Sequence, residues 1–88
     1  YTVLLFKLKT CMPCKLMEKE WEKLIEENDW LQLEPIDSDT NDVLVDKYKI
    51  FTVPTSVILD DQGKEVERIE GTKTKNEILA IINKFFNK

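Results

Sequence analysis

The only two cysteines of this chain, Cys11 and Cys14, are separated by just two residues. A cross-link over so short a span removes little loop entropy from the unfolded state, so it cannot staple distant segments together. The 88 residues must therefore be held by one apolar core, in a size range where every element has to contribute to it. Hydrophobic residues at 42% and charged residues at 34% are proportions that allow this. A single domain over residues 1–88 is expected.

The hydrophobic period changes several times along the chain. Val3-Leu4-Leu5-Phe6 is a continuous apolar run, the pattern of a strand buried on both faces. From Cys14 the apolar positions Met17, Trp21, Leu24 and Ile25 recur at three and four, which predicts an amphipathic helix to about Glu27, ended by Asn28-Asp29. Pro13 fits the first turn, where its missing N–H costs nothing. Trp30 to Ile36 returns to alternation, and since Pro35 cannot donate to a ladder, that strand should lie at a sheet edge or end there.

Ser38-Asp39-Thr40-Asn41 offers capping side chains before a short helix around Asp42 to Tyr48, where Val43-Leu44-Val45 is also compatible with extended chain. Ser56 to Leu59 and Lys64 to Glu70 read as a hairpin turning at Asp60-Asp61-Gln62-Gly63, with a parity slip between Val66 and Ile69 that suggests a bulge. Thr74 to Glu77 has the form of a capping box ahead of a helix carrying Ile78, Ile81, Ile82, Phe85 and Phe86. The order is βαβαββα. The first two strands should be parallel through a right-handed crossover, giving an α/β fold with a four-stranded mixed sheet and three helices on its two faces.

Composition removes several classes of function. There is no histidine, which excludes Ser/His/Asp triads, Cys/His proteolysis and histidine-based zinc sites. The net charge of −4, without a long run of one sign, argues against a nucleic-acid or lipid-headgroup surface. No stretch approaches the roughly 18 apolar residues of a membrane helix.

Cys11-Met12-Pro13-Cys14 lies between a buried strand and the first turn of a helix. Unpaired amide hydrogens and the positive end of the dipole stabilise a thiolate there. Cys11, ahead of the helix and exposed, is the candidate attacking thiol. Cys14, facing inward with Met17 and Trp21, is the candidate resolving thiol. A Cys-x-x-Cys is also half of a zinc site, but no third cysteine or histidine supplies the other half. A pair of inert structural cysteines is the other alternative. Lys9 either supports the Cys11 thiolate or, with Lys7, forms a solvated strand end. Trp21 and Trp30 read as core, and Tyr1, Phe51 and Phe85 as packing.

With Thr52-Val53-Pro54-Thr55 directly before the third strand, the chain resembles the thioredoxin superfamily from about Val3 to Phe86. The resemblance implies that the Val53–Pro54 bond is cis, with Pro54 against the disulfide, and that the main chain of Val53 pairs with an extended substrate. It places Met12, Pro13, Thr52, Gly71 and Thr72 around the same shallow groove. Tyr48 to Thr55 is closer to thioredoxins than to glutaredoxins.

The departures are specific. Thr10 and Met12 stand where thioredoxins usually carry Trp and Gly, and Leu5 stands where they carry a buried aspartate. The proton of the buried thiol must then move through water or another group. Ile69-Glu70-Gly71-Thr72 lacks the Gly-Gly pair of glutaredoxins, so a glutathione site is not implied. The extra N-terminal strand and helix of full thioredoxins are not expected in this chain.

The resemblance implies a thiol–disulfide oxidoreductase that reduces disulfide-containing proteins. Its electrons would come from a reductase or another dithiol, without metal or cofactor. A monomer in the cytoplasm, binding neither nucleic acid nor membrane, is expected. Two alternatives stand beside it: a glutaredoxin-like or ribonucleotide-reductase-serving electron donor, and a non-enzymatic module that binds peptides beside Pro54.

Overall fold

The computed structural model describes residues 1–86, with side chains through Lys84. The parts expected of the Phe85 and Phe86 side chains lie outside the described residues. The elements are β1 (Thr2–Lys7), α1 (Met12–Glu27), β2 (Gln32–Asp37), α2 (Asp42–Tyr48), β3 (Thr55–Leu59), β4 (Glu65–Glu70) and α3 (Lys75–Phe86). They form one mixed sheet in the order β2-β1-β3-β4. β1 and β2 are parallel, whereas β3 runs antiparallel to both β1 and β4. The expected βαβαββα architecture is the one observed. Among the described residues, no helix is long and apolar enough to cross a membrane.

The uninterrupted apolar run makes β1 a central strand with no solvent face. Val3 and Leu5 enter one core with Met17, Trp21 and Leu24 of α1 and Ile78 and Ile82 of α3. Leu4 and Phe6 enter a second core on the opposite face, with Ile36, Ile50, Val57 and Leu59, covered by Leu44, Val45 and Tyr48 of α2. Alternation along one strand thus splits the interior into two layers, and each demands its own helices.

β2 is an edge strand, and its register explains how it tolerates Pro35. Gln32 N–H donates to Tyr1 O at 3.0 Å and Ser38 N–H to Lys7 O at 2.9 Å. In a parallel ladder this alternation turns the even residues of β2 towards β1 and the odd residues outward. Pro35 therefore lacks its donor on the open side, where no ladder bond is lost.

Two expectations about β2 and its approach need correction. The strand begins at Gln32, because Trp30 lies in the preceding turn. There Trp30 is 40% exposed and meets Tyr1 edge-to-face, with centroids 6.0 Å apart, so this aromatic pair covers the sheet end and neither ring enters the core. The capping expectation before α2 also differs. Asn41 occupies the N-cap position without a side-chain cap bond. The turn instead folds around Asp37, whose carboxylate accepts from Asp39 N–H at 3.0 Å and whose carbonyl accepts from Asn41 Nδ2 at 2.9 Å. At its other end α2 closes with Lys49 in the left-handed region, and the Arg68 guanidinium of β4 donates to the carbonyls of Tyr48 and Lys49.

The hairpin turns at Gly63, whose φ of 79° requires glycine. Ile58 faces Glu67 whereas Leu59 faces Glu65, so Val66 is the extra residue of a bulge. Ahead of α3, Thr74 N–H donates to Glu77 Oε1 at 2.9 Å and Glu77 N–H to Thr74 Oγ1 at 3.3 Å, the reciprocal pair of a capping box.

One buried polar contact ties α1 directly to β3. Trp21 Nε1–H donates to Ser56 Oγ at 2.8 Å, between side chains that are both fully buried. Leaving either partner alone in the core costs the desolvation of a polar group. Trp21→Phe should therefore lower unfolding stability by about 1–3 kcal/mol. Adding Ser56→Ala to it should cost less than the two single changes summed, with a coupling of at least about 0.5 kcal/mol in a double-mutant cycle by urea unfolding. Strict additivity would mean that the hydrogen bond contributes nothing.

Candidate active site

β1 ends at Lys7, and a short turn delivers the chain to Cys11 at the N-cap of α1. The N-cap backbone is extended, with φ −89° and ψ 107°, which aims the side chain back over the first turn. Cys11 Sγ accepts the Cys14 N–H at 3.1 Å, so the sulfur takes the place of a capping oxygen. Pro13 sits in the first turn, as its missing donor allows. The two cysteines form a disulfide with Cα atoms 5.2 Å apart.

The pair is unequal, though less so than the sequence implied. Cys14 is fully buried on the stripe that continues through Met17 and Trp21. Cys11 is half-buried rather than exposed, because the turn before it folds back, with Cys11 N–H donating to Leu8 O at 3.2 Å.

Hydrogen bonds join the segments that carry the other residues expected at the groove. The Val53–Pro54 bond is cis, and Pro54 is buried. Gly71, with φ 86°, donates its N–H to Pro54 O at 2.8 Å. Thr72 Oγ1 donates to Pro13 O at 3.3 Å, which brings the β4–α3 loop to the segment between the cysteines. Thr55 Oγ1 donates to Thr52 O at 2.7 Å and braces the turn before β3. Met12, Pro13, Thr52 and Thr72 are exposed, and Val53 is half-buried. All the groove residues expected from the sequence thus belong to three adjoining segments.

Other expectations change. Phe51 does not pack: it is 86% exposed on the approach to Pro54. Lys7 is not a free cation near the thiol, since its ammonium pairs with Glu18 Oε1 at 2.9 Å. Lys9 is exposed. Leu5 is fully buried beneath α1, and its cross-strand partner on β3 is Ser56. The Trp21–Ser56 contact is a feature that sequence reasoning missed, and its one signal was a serine at the head of the apolar run Val57 to Leu59. Among the described residues, no group of three or more His, Cys, Asp or Glu is placed to hold a metal ion.

A pair of sulfurs that closes into a disulfide at a helix start, one accessible and one buried, is equipped for two-electron exchange with another disulfide. The fold and site thus define a thiol–disulfide oxidoreductase that acts on proteins. The thioredoxin family model matches residues 1–84, and the chain belongs to the thioredoxin family. It is 36% identical to the thioredoxin of Bacillus subtilis over 75 residues, covering 84% of this chain and 71% of that protein. It is 32% identical to the thioredoxin of Chlamydia trachomatis over 79 residues, covering 90% of this chain and 76% of that one. Among solved structures, thioredoxin 1 of Thermosipho africanus superposes with a TM-score of 0.84 at 26% identity, over 99% of this chain and 96% of that one.

Two carboxylates hold α3 and the loop before it next to this site. Glu20 Oε1 accepts from Lys75 N–H at 2.6 Å and Glu20 Oε2 from Lys23 Nζ at 3.0 Å. The Lys23 ammonium and then the Lys75 amide hold the Glu20 carboxyl below its ordinary value of 4.5. The amide and hydroxyl of Thr74 do the same for Glu77. Because both are depressed on folding, the unfolded chain binds more protons, and stability rises with pH through this window. The contribution is complete above about 4.5 and is lost as pH falls through the folded values. In urea unfolding at stepped pH from 7 to 3, Glu20→Gln/Glu77→Gln should lose stability less steeply than the parent. Parallel curves would show that neither carboxylate is linked to folding.

Proposed function

We propose that the reduced protein works through the Cys11 thiolate, which attacks a disulfide in a protein substrate. One substrate sulfur joins Cys11 and the other leaves as a thiolate that takes up a proton. Cys14 then gives up its own proton and attacks Cys11 Sγ, so that the substrate leaves with both sulfurs as thiols and the enzyme carries the Cys11–Cys14 disulfide. Two electrons pass from the enzyme to the substrate, and a reductase or another dithiol restores them.

The observation that carries this assignment is the difference between the two sulfurs. Cys11 Sγ lies at the N-cap and accepts a main-chain N–H, while Cys14 is sealed beneath the helix. A bulky disulfide can approach the first but not the second. The Cys14 amide stabilises charge on the Cys11 sulfur, an N-terminal effect of about 0.3–1 kcal/mol at an exposed site. With no carboxylate among the buried described residues, the Cys14 proton leaves through water that enters with the substrate.

Met12, Pro13, Thr52, Val53, Pro54, Gly71 and Thr72 bind the substrate chain in this reading. Val53 is suited to main-chain pairing because it immediately precedes the cis proline and is only half covered. We place this activity in the cytoplasm and in a monomer. Both cysteines belong to the redox pair, so no structural disulfide demands an oxidising compartment.

Turnover of insulin disulfides with dithiothreitol tests the order of events. Cys11→Ser should reduce the rate to that of dithiothreitol alone. Cys14→Ser should accumulate a mixed disulfide with the substrate, visible as a mass adduct that dithiothreitol removes. Full activity in Cys11→Ser would overturn the assignment.

A further inference from the structure

The buried stripe of α1 runs through Cys14, Met17, Trp21 and Leu24. Two large apolar residues lie off that stripe. Met12 is 63% exposed and Leu16 is 54% exposed. Four residues apart, they fall on one helix face about 6 Å apart along the axis, leading away from the disulfide. Surface apolar residues are individually ordinary, but Leu16 does not stand alone on open helix. It forms one wall of a cleft of about 270 Å³ whose other lining residues are Glu20 of α1, Thr72, Lys73 and Thr74 of the β4–α3 loop, and Glu77 of α3.

The polar groups of this cleft are largely committed to their neighbours. Thr72 Oγ1 donates to Pro13 O, and Lys73 N–H donates to Met17 Sδ, each at 3.3 Å. Thr74 and Glu77 satisfy one another across the capping box. Glu20 accepts from Lys75 N–H and from Lys23. The exposed lining of the cleft is nonetheless mainly apolar, so an apolar side chain would cover Leu16 and the threonine methyl groups. The cleft also adjoins the redox centre, since Thr72, which lines it, is bonded to Pro13, one of the two residues between the cysteines.

We propose that this cleft is a specificity subsite for the protein substrate, receiving an aliphatic side chain near the cysteine under attack, with Leu16 as its principal contact. The inference rests on the reduction of protein disulfides by Cys11 and names the kind of sequence that is reduced best. An extended substrate advances about 3.3 Å per residue. The anchor therefore lies two to four residues from the reactive cysteine.

The test uses alanine-rich peptides with one central cysteine, linked by a disulfide to thionitrobenzoate, with Leu or Ala at the second, third or fourth position on either side. The Cys11 thiolate forms the bond to the peptide sulfur and expels thionitrobenzoate, which is followed by its absorbance. Cys14 then releases the peptide thiol, and the pre-reduced enzyme, freed of dithiothreitol, is followed through a single turnover. For at least one position the parent should prefer the Leu peptide over the Ala peptide by about tenfold in kcat/KM. In Leu16→Glu that ratio should fall to about one, and in Leu16→Ala to an intermediate value. A Leu/Ala ratio near one in the parent at every position, or a ratio unchanged in Leu16→Glu, would overturn the subsite while leaving the disulfide chemistry intact. If the parent releases no thionitrobenzoate from any peptide, the proposed reaction itself fails, and the subsite with it.

Discussion

Strand β1 is buried on both faces, so its four central side chains, Val3 to Phe6, commit a separate layer of helices to each side of the sheet. Val3 and Leu5 draw down α1 and α3, while Leu4 and Phe6 draw down α2. This placement also determines where the chemistry sits. The chain leaves the end of β1, turns once, and enters α1 with the helix axis already pinned by Met17, Trp21 and Leu24. Cys11 therefore has little choice of position. It caps a helix whose far face is buried, at the end of the sheet where the chain before β3 and the chain after β4 also arrive.

At that point the backbone supplies a hydrogen bond to the sulfur. Cys11 Sγ has the Cys14 N–H as its hydrogen-bond donor. Lys9, the cation that the sequence offered, is exposed, and Lys7 is paired with Glu18. A partly exposed helix terminus contributes a fraction of a kilocalorie to about one, which is far from the strong stabilisation of the reduced form that makes a dithiol an oxidant. A fully buried partner thiol and membership of the thioredoxin family point the same way. The pair donates electrons to other proteins' disulfides.

Much of this was legible in the chain because it is local. The apolar run of β1, the three-and-four spacing of α1, the helix at Asp42 to Tyr48, the glycine turn at Gly63 and the capping box at Thr74 and Glu77 each depend on residues within a turn or two. The redox pair was legible for the same reason. Features set by partners distant in sequence were not. Nothing near Ser56 announces that Trp21 will bond to it from 35 residues away. Aromatic residues bias a reader towards burial, yet Trp30 and Phe51 sit in connecting segments where no second layer covers them. The groove around Pro54 followed from resemblance. The hydrogen bonds of Gly71 and Thr72 that assemble it emerge only when β4 is laid beside β3. Leu16 had one sequence signal, an apolar residue off the buried stripe, and its meaning depended on the loop that faces it.

The most direct test of the central claim is the reduction potential of the Cys11–Cys14 couple, obtained by equilibrating the protein in thiol–disulfide buffers of known poise and counting free thiols. With the main chain as the chief stabiliser of the Cys11 thiolate, the potential should lie near the thioredoxin value of about −270 mV. A potential near about −120 mV would mean that the reduced form is strongly stabilised. The protein would then give disulfides to its partners, and the account of a weakly stabilised, electron-donating dithiol would be wrong.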